Sequence, residues 1–290
     1  TFVDKSVHPM SALRTAVSLL AHTDATAEDQ SEEATLRKAI RIQAKIPSIV
    51  AAIARTREGK EVIDPNPEYG YAKNFLYMMN GEEPTDVQVE AMNTALVLHA
   101  DHEINASTFA ARVIVATLSD VYSGVTGAIG ALKGPLHGGA NEQVMAMLEE
   151  IGSLENVESY IQKKFDNKEK VMGIGHRVYK EGDPRAKYLE DMARRLTEEN
   201  GQPELYEMSV KIAQIIEEEK GLLPNVDFFS ASVYHSLGIA HDLFTPIFAV
   251  SRTSGWIAHI FEQYENNRLI RPRAEYNGHT NMKYEPIENR

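Results

Sequence analysis

Along this chain, apolar side chains recur at three- and four-residue intervals, a period that predicts helices. Between Ala34 and Thr56, the residues Leu36, Ile40, Ile46, Ile49, Val50 and Ile53 fall mostly on one helical face, and Pro47 predicts a kink. Thr85-Asp86-Val87-Gln88 is a capping-box sequence that should open a helix carrying Val89, Met92, Leu96 and His99 on one side. Ser119 to Lys133 is rich in small residues, and Gly124, Gly127 and Gly130 define a face able to touch another helix closely. Asp183-Pro184 reads as an N-cap followed by proline at the first helical position, with the helix running through Leu189, Met192 and Leu196 to Asn200-Gly201. Leu205, Met208, Ile212 and Ile215 mark another that ends at Gly221, and Thr245-Pro246 starts one through Val250, Ile257 and Phe261. No alternating segment reaches convincing strand length and no repeat is present, so the expected fold class is all-α.

Composition narrows the possible functions. The 290 residues, 43% hydrophobic and 25% charged, suffice for a large core or two domains. The longest apolar runs, such as Ala95 to Leu98 and Ile247 to Val250, fall far short of the ~20 residues of a membrane helix, and no apolar segment opens the chain. A cytoplasmic protein without a membrane partner is expected. The chain has no cysteine, which removes thiolate nucleophiles, zinc knuckles and disulfides together. A net charge of -12 sets a repulsive field against nucleic acid, so an anionic ligand needs a local basic pocket. The hinge candidates are the turns at Gly134–Gly139 and Gly173–Gly175 and the entry Pro224-Asn225-Val226-Asp227.

Those turns also hold the candidate chemistry. In Gly134-Pro135-Leu136-His137-Gly138-Gly139-Ala140-Asn141, a histidine sits in a glycine turn that leads into a helix from Glu142 to Glu150. Free amides at a helix start disfavour an imidazolium, and a neutral histidine that donates a hydrogen bond suits an enolate oxygen. The plainer alternative is a histidine that only completes the turn. His176 follows Gly173-Ile174-Gly175, and Arg185 stands in the first helical turn after Asp183-Pro184, where the helix dipole disfavours a cation unless an anion is bound. Pairing with Asp183 is the alternative for Arg185. Asp227, between Val226 and Phe228-Phe229, is either a carboxylate made more basic by apolar neighbours or the N-cap of a helix through Ser230. His99, His102 and Glu103 have helical spacing that invites a metal reading, but not in the order His-Glu-x-x-His, so a hydrogen-bonding role for His102 ranks higher. Arg252, in a largely apolar helix, calls for a carboxylate from protein or substrate. The run Arg268-Leu269-Ile270-Arg271-Pro272-Arg273 would, taken alone, be solvated surface.

In this order, HADHEINAST, GPLHGGANE, GIGHRVYKEGDPRAK, PNVDFFSASVYHSLG, AVSRTSGWIAH and RLIRPRAEY closely resemble citrate synthases of the bacterial type, and the six blocks span His99 to Tyr276. The resemblance implies a condensation of acetyl-CoA with oxaloacetate. In that scheme His137 stabilises the enol or enolate, Asp227 removes the methyl proton, and His176 donates a proton to the ketone oxygen. His102, Arg185 and Arg252 would hold oxaloacetate. Lys180 would stand near CoA phosphates, and Arg271 would reach the partner's active site in a homodimer. No prosthetic group and no metal are implied. The family fold implies a large helical domain from residues 1–139 and 232–290 and a small one from 140–231 that closes over the cleft. Family members usually carry a further segment before the block that begins here near His8-Pro9-Met10. The rivals are 2-methylcitrate synthesis from propionyl-CoA on the same frame, a metal-dependent hydrolase at His99, His102 and Glu103, and a non-catalytic helical descendant.

Overall fold

The computed structural model describes residues 4–176 and 178–290, which form twelve α-helices. α1 (Pro9–Leu19) starts where the His8 ring accepts the Met10 amide at 3.1 Å, and it buries Met10, Leu13 and Val17. α2 (Glu32–Arg57), capped by Ser31, contains Pro47 as expected, but its inner face differs from the predicted one. Ile46, Val50 and Ile53 point inward, whereas Leu36 and Ile40 face solvent at 51% and 62% exposure. Ala34, Lys38 and Ile42 take the inward positions on the N-terminal half. Lys38 can be buried because its ammonium donates to the carbonyls of Ala27 and Asp29, which satisfies the charge without a carboxylate.

α3 (Tyr71–Asn80) closes on Gly81 in the left-handed conformation. α4 (Asp86–His99) forms the full predicted capping box at Thr85 and Gln88 and buries Met92, Leu96 and His99. α5 (Ala106–Val115) and α6 (Val121–Leu132) pack along each other. The small-residue face of α6 is real at two of its three glycines: a Cβ on Gly127 would lie 2.0 Å from Ile114, and one on Gly124 2.8 Å from Val115.

α7 (Ala140–Ile151), α8 (Val157–Asp166), α9 (Ala186–Glu199), α10 (Pro203–Lys220) and α11 (Val226–Ser236) pack mainly among themselves, with α11 against both α7 and α9. α12 (Phe244–Glu265) begins two residues before the predicted start, lies against α1, α2, α4, α5 and α6, and buries Trp256. The two groups meet where α4 touches α9 and α11 and where α12 touches α7. α9 starts at Ala186, not at Asp183-Pro184, and its N-cap is Arg185 without a side-chain cap bond. The Asp183 carboxylate accepts the Arg185 amide at 3.0 Å, and it is shared with the Arg185 guanidinium and the Val226 amide. Among the described residues there is no strand, only an isolated antiparallel bridge between Ile174 and Pro224, and no helix is long and apolar enough to cross a membrane.

Gly255, in mid-α12, is where the backbone of the loop after α4 docks. Its amide donates to the Ala100 carbonyl at 3.1 Å, and a Cβ there would fall 2.4 Å from that oxygen and 2.7 Å from Asp101 Oδ1. Backbone cannot step aside as a flexible side chain can. Gly255→Ala should therefore destabilise the chain by about 1–3 kcal/mol in urea unfolding, and it should lower the activity assayed below more than a surface Gly→Ala does.

Candidate active site

His102 stands on the loop between α4 and α5, within the segment that Gly255 lets dock on α12. Its ring lies 5.1 Å from that of His176 and 5.4 Å from that of Tyr179, centroid to centroid, and the last two rings are 4.8 Å apart. Burial lowers the pKa of His102, and Arg185 and Arg252 add to the effect.

The position of His176 is fixed by backbone pairing. The Gly175 amide donates to the Leu223 carbonyl at 2.8 Å, the Asn225 amide to the Gly173 carbonyl at 2.9 Å, and Asn225 Nδ2 to the Gly175 carbonyl at 2.8 Å. Gly173 permits this approach: its φ of +74° suits only glycine well, and a Cβ would lie 3.0 Å from Phe228 Cα. The loop of His176 is thus zipped to the start of α11, next to Asp227. The His176 Nδ1 accepts amide hydrogens from Val178 and Tyr179 at 3.0 and 3.1 Å. Amides only donate, so Nδ1 holds its lone pair and the neutral ring carries its proton on Nε2. The pKa of His176 is lowered, chiefly by burial. Arg177, in the same sequence block, lies outside the described residues.

His137 follows the same logic with the other tautomer. Its Nε2 accepts the Ser107 amide at 3.2 Å and lies 2.8 Å from Ser107 Oγ, which also accepts from Trp256 Nε1 at 3.0 Å. The proton of the neutral ring is therefore on Nδ1, and burial lowers the pKa. A helix start is involved, as the sequence suggested, but it belongs to α5 rather than to α7, the helix into which the His137 turn leads. Ser107 and Trp256 were not singled out from the sequence, since nothing local marks a serine near position 107 as the partner of a histidine thirty residues on.

Asp227 is the second residue of α11. The capping role considered for it belongs to Asn225, whose side chain accepts the Asp227 amide at 2.9 Å. No described residue hydrogen-bonds the Asp227 carboxylate. Burial raises its pKa to about 6, partly opposed by the positive charges of Arg185 and Arg252.

Both arginines lie at the cluster. Arg252 is buried, with Nε donating to the His99 carbonyl at 2.7 Å and its guanidinium over the Phe248 ring at 4.5 Å. No described carboxylate pairs with it, and desolvation brings its pKa down to about 10, still cationic at neutral pH. Arg185 forms the pair with Asp183 that was the alternative reading, through Nε at 2.9 Å and Nη2 at 2.8 Å. Lys180 is exposed, its ammonium 3.4 Å from the His176 carbonyl. Beside His176 runs a groove lined by Phe165, Lys168, Glu169, Lys170, Gly175 and Lys220, its three lysines drawn from two chain segments. Arg271 lies in the exposed extended segment after α12, and no hydrogen bond or ion pair with a described residue ties it to the cluster.

The metal reading of His99, His102 and Glu103 does not survive. α4 ends at His99, so the three do not share a helical face. His99 is fully buried, with Nδ1 bonded to the Ala95 carbonyl at 2.8 Å and its pKa driven down to about 3, while Glu103 is exposed.

Two neutral histidines with fixed and opposite tautomers, a carboxylate of raised pKa and a buried guanidinium paired with no described carboxylate suit acid–base chemistry on an anionic ligand, held on a helical scaffold. The family described as "Citrate synthase, C-terminal domain" matches residues 1–273. "Citrate synthase 2" of Bacillus subtilis is 65% identical over 286 residues, 99% of this chain and 77% of that protein, and the "Citrate synthase" of Haloferax volcanii is 53% identical, covering 97% and 76%. The citrate synthase of Thermoplasma acidophilum, solved as a ternary complex with carboxymethyl coenzyme A and oxaloacetate, superposes with a TM-score of 0.91 at 38% identity, covering 99% of this chain and 77% of that one. The chain belongs to the citrate synthase family.

The elevated pKa of Asp227 carries a consequence for stability. Its folded-state value lies above the unfolded 3.8, so ionisation opposes folding; the cost is full above pH 6 and disappears as the pH falls toward 3.8. Asp227→Asn should therefore raise unfolding stability by on the order of 1–2 kcal/mol at pH 8 and by little at pH 4. An equal gain at both pH values would show that ionisation is not its source.

Proposed function

We propose that this enzyme condenses acetyl-CoA with oxaloacetate to give citrate and CoA, and that the observation carrying the mechanism is the pairing of tautomers at His137 and His176. The Nδ1–H of His137 donates to the thioester oxygen as negative charge develops on it. Asp227, ionised above pH 6 and poorly solvated, takes the methyl proton. The Nε2–H of His176 donates to the ketone oxygen of oxaloacetate as the carbon–carbon bond forms. Citryl-CoA is then hydrolysed. Arg252, which pairs with no described carboxylate, Arg185 and His102 hold the oxaloacetate carboxylates and keep the ketone in line with the enolate. The groove with Lys168, Lys170 and Lys220 beside His176 suits the CoA phosphates, and Lys180 lies at the same loop. Polarisation and proton transfer are all assigned to side chains, so the scheme calls on neither prosthetic group nor metal.

We assign residues 1–139 and 232–290 to a large domain and 140–231 to a small one that closes over oxaloacetate. The preference of α7 to α11 for one another supports that division. A homodimer in which Arg271 enters the partner's site accounts for an arginine that no described residue of its own chain holds, and a cytoplasmic setting suits the substrates.

Release of CoA thiol can be followed without background, since the chain has no cysteine. Wild type should turn over acetyl-CoA with oxaloacetate, kcat should fall as the pH drops through about 6, and Asp227→Asn should lower kcat by about 10²–10⁴ with oxaloacetate binding retained. Undiminished exchange of the acetyl methyl protons in that variant would remove Asp227 as the base. A kcat/KM larger for propionyl-CoA than for acetyl-CoA would replace citrate by 2-methylcitrate as the product.

The Arg271 assignment has its own test. Arg271→Ala and Asp227→Asn should each be nearly inactive, but mixed dimers of the two should recover activity, because one site per hybrid then has both groups intact. No recovery on mixing would confine Arg271 to its own chain.

A further inference from the structure

Away from the acid–base site, three potential metal ligands converge from three elements. Glu149 lies in the last turn of α7, His235 in the last turn of α11, and His241 opens the short 3-10 turn His241–Leu243 that leads into α12. His235 Nδ1 and His241 Nε2 are 3.3 Å apart, and His241 Nε2 is 3.5 Å from Glu149 Oε1; all three ligand atoms lie within 4.8 Å of one another. Ligands on a tetrahedral zinc at ~2.0–2.1 Å are separated by ~3.3–3.4 Å, so two edges of the triangle already have nearly the right length. Hydrogen bonding can account for one short contact. It does not account well for three groups from separate elements meeting at one point, where the single Nε2 of His241 faces both an imidazole nitrogen and a carboxylate.

We propose that Glu149, His235 and His241 bind a divalent transition-metal ion of the zinc class, with two imidazoles and one carboxylate as ligands and solvent in the fourth position. The ligand types suit a borderline-soft ion rather than calcium or magnesium, which prefer oxygen throughout. Two helices, α7 and α11, end at the site, and their free carbonyl ends add negative potential where the cation sits. Access is open: His241 and Glu149 keep 28% and 53% of their side-chain surface exposed, and a cleft bordered by Glu149, Gly152, Gln202, Glu204 and His235 leads to the ligands.

The ion's role follows from what it joins. α7 leaves the turn of His137, while α11 carries Asp227 at its start, about 12 Å along the helix from His235. A metal at the far ends of both helices ties the element behind the oxyanion donor to the element that carries the base. It is a fastener for the scaffold and takes no part in the proton transfers.

The test uses the full chain, stripped with a chelator and titrated with zinc chloride by calorimetry, with the melting temperature measured alongside. One equivalent per chain should bind and raise the melting temperature. Cobalt(II) bound in its place should give the strong visible absorption of a four-coordinate ion. His235→Asn with His241→Asn should abolish both the stoichiometric binding and the thermal shift. Because the double substitution could impair folding, the exposed Glu149→Gln variant is measured in parallel and should bind more weakly with an unchanged metal-free melting temperature. Binding that persists in both variants, or no binding to wild type at micromolar zinc, would overturn the proposal.

Discussion

Much of the site depends on one buried carboxylate. Asp183 has no exposed side-chain surface, yet it stays ionised: desolvation opposes its charge, and hydrogen bonds from the Arg185 guanidinium and amide and from the Val226 amide more than compensate, so that its pKa is lowered. Its two oxygens join three pieces of the machinery. They orient Arg185, they anchor the first residue of the helix that bears Asp227, and, through that helix start, they hold the segment zipped to the loop of His176. A charge without partners at this depth would be costly, and removing either partner would strand the other. The pair therefore acts less as a source of net stability than as a constraint on geometry.

The same economy of donors appears in the two histidines. Each ring has one nitrogen tied to a backbone amide that can only donate, so each presents a hydrogen-bond donor from its other nitrogen without needing to be protonated. Burial reinforces this by disfavouring the imidazolium. Asp227 is the counterpart: burial makes its ionised form energetically costly and raises its basicity, which suits the proton abstraction proposed for it. Active sites commonly trade folding stability for reactivity, and the desolvated carboxylate of Asp227 is where such a trade is visible here.

The overall charge of -12 makes the arrangement of cations more informative. Arg185 and Arg252 are gathered at the cluster, and lysines from two segments line the groove beside His176. In an acidic protein, positive charge collected at a cleft offers anionic ligands a favourable destination. Electrostatic focusing into a low-dielectric cleft then favours both arrival and orientation.

The sequence by itself determined the helical class, since helix period and capping are local: the Thr85 box, the end at Gly221 and the small face at Gly124 and Gly127 all formed as the pattern predicted. It also marked His137, His176, Asp227, Arg185 and Arg252, because glycine turns, a cation at a helix start and a charge among apolar residues break local rules visibly. Tertiary structure alone decided which way α2 faces, because burial depends on what lies opposite, so that Leu36 and Ile40 are exposed and Lys38 is not. It moved the cap of α11 from Asp227 to Asn225, and it gave Asp183, besides the Arg185 amide, a distant partner in the Val226 amide at the start of α11. It gave His137 its tautomer through Ser107, from a helix thirty residues away, and it brought Glu149 to His235 and His241. Hydrogen bonds between distant segments have no period and no spacing in the sequence, so only the folded chain could reveal them.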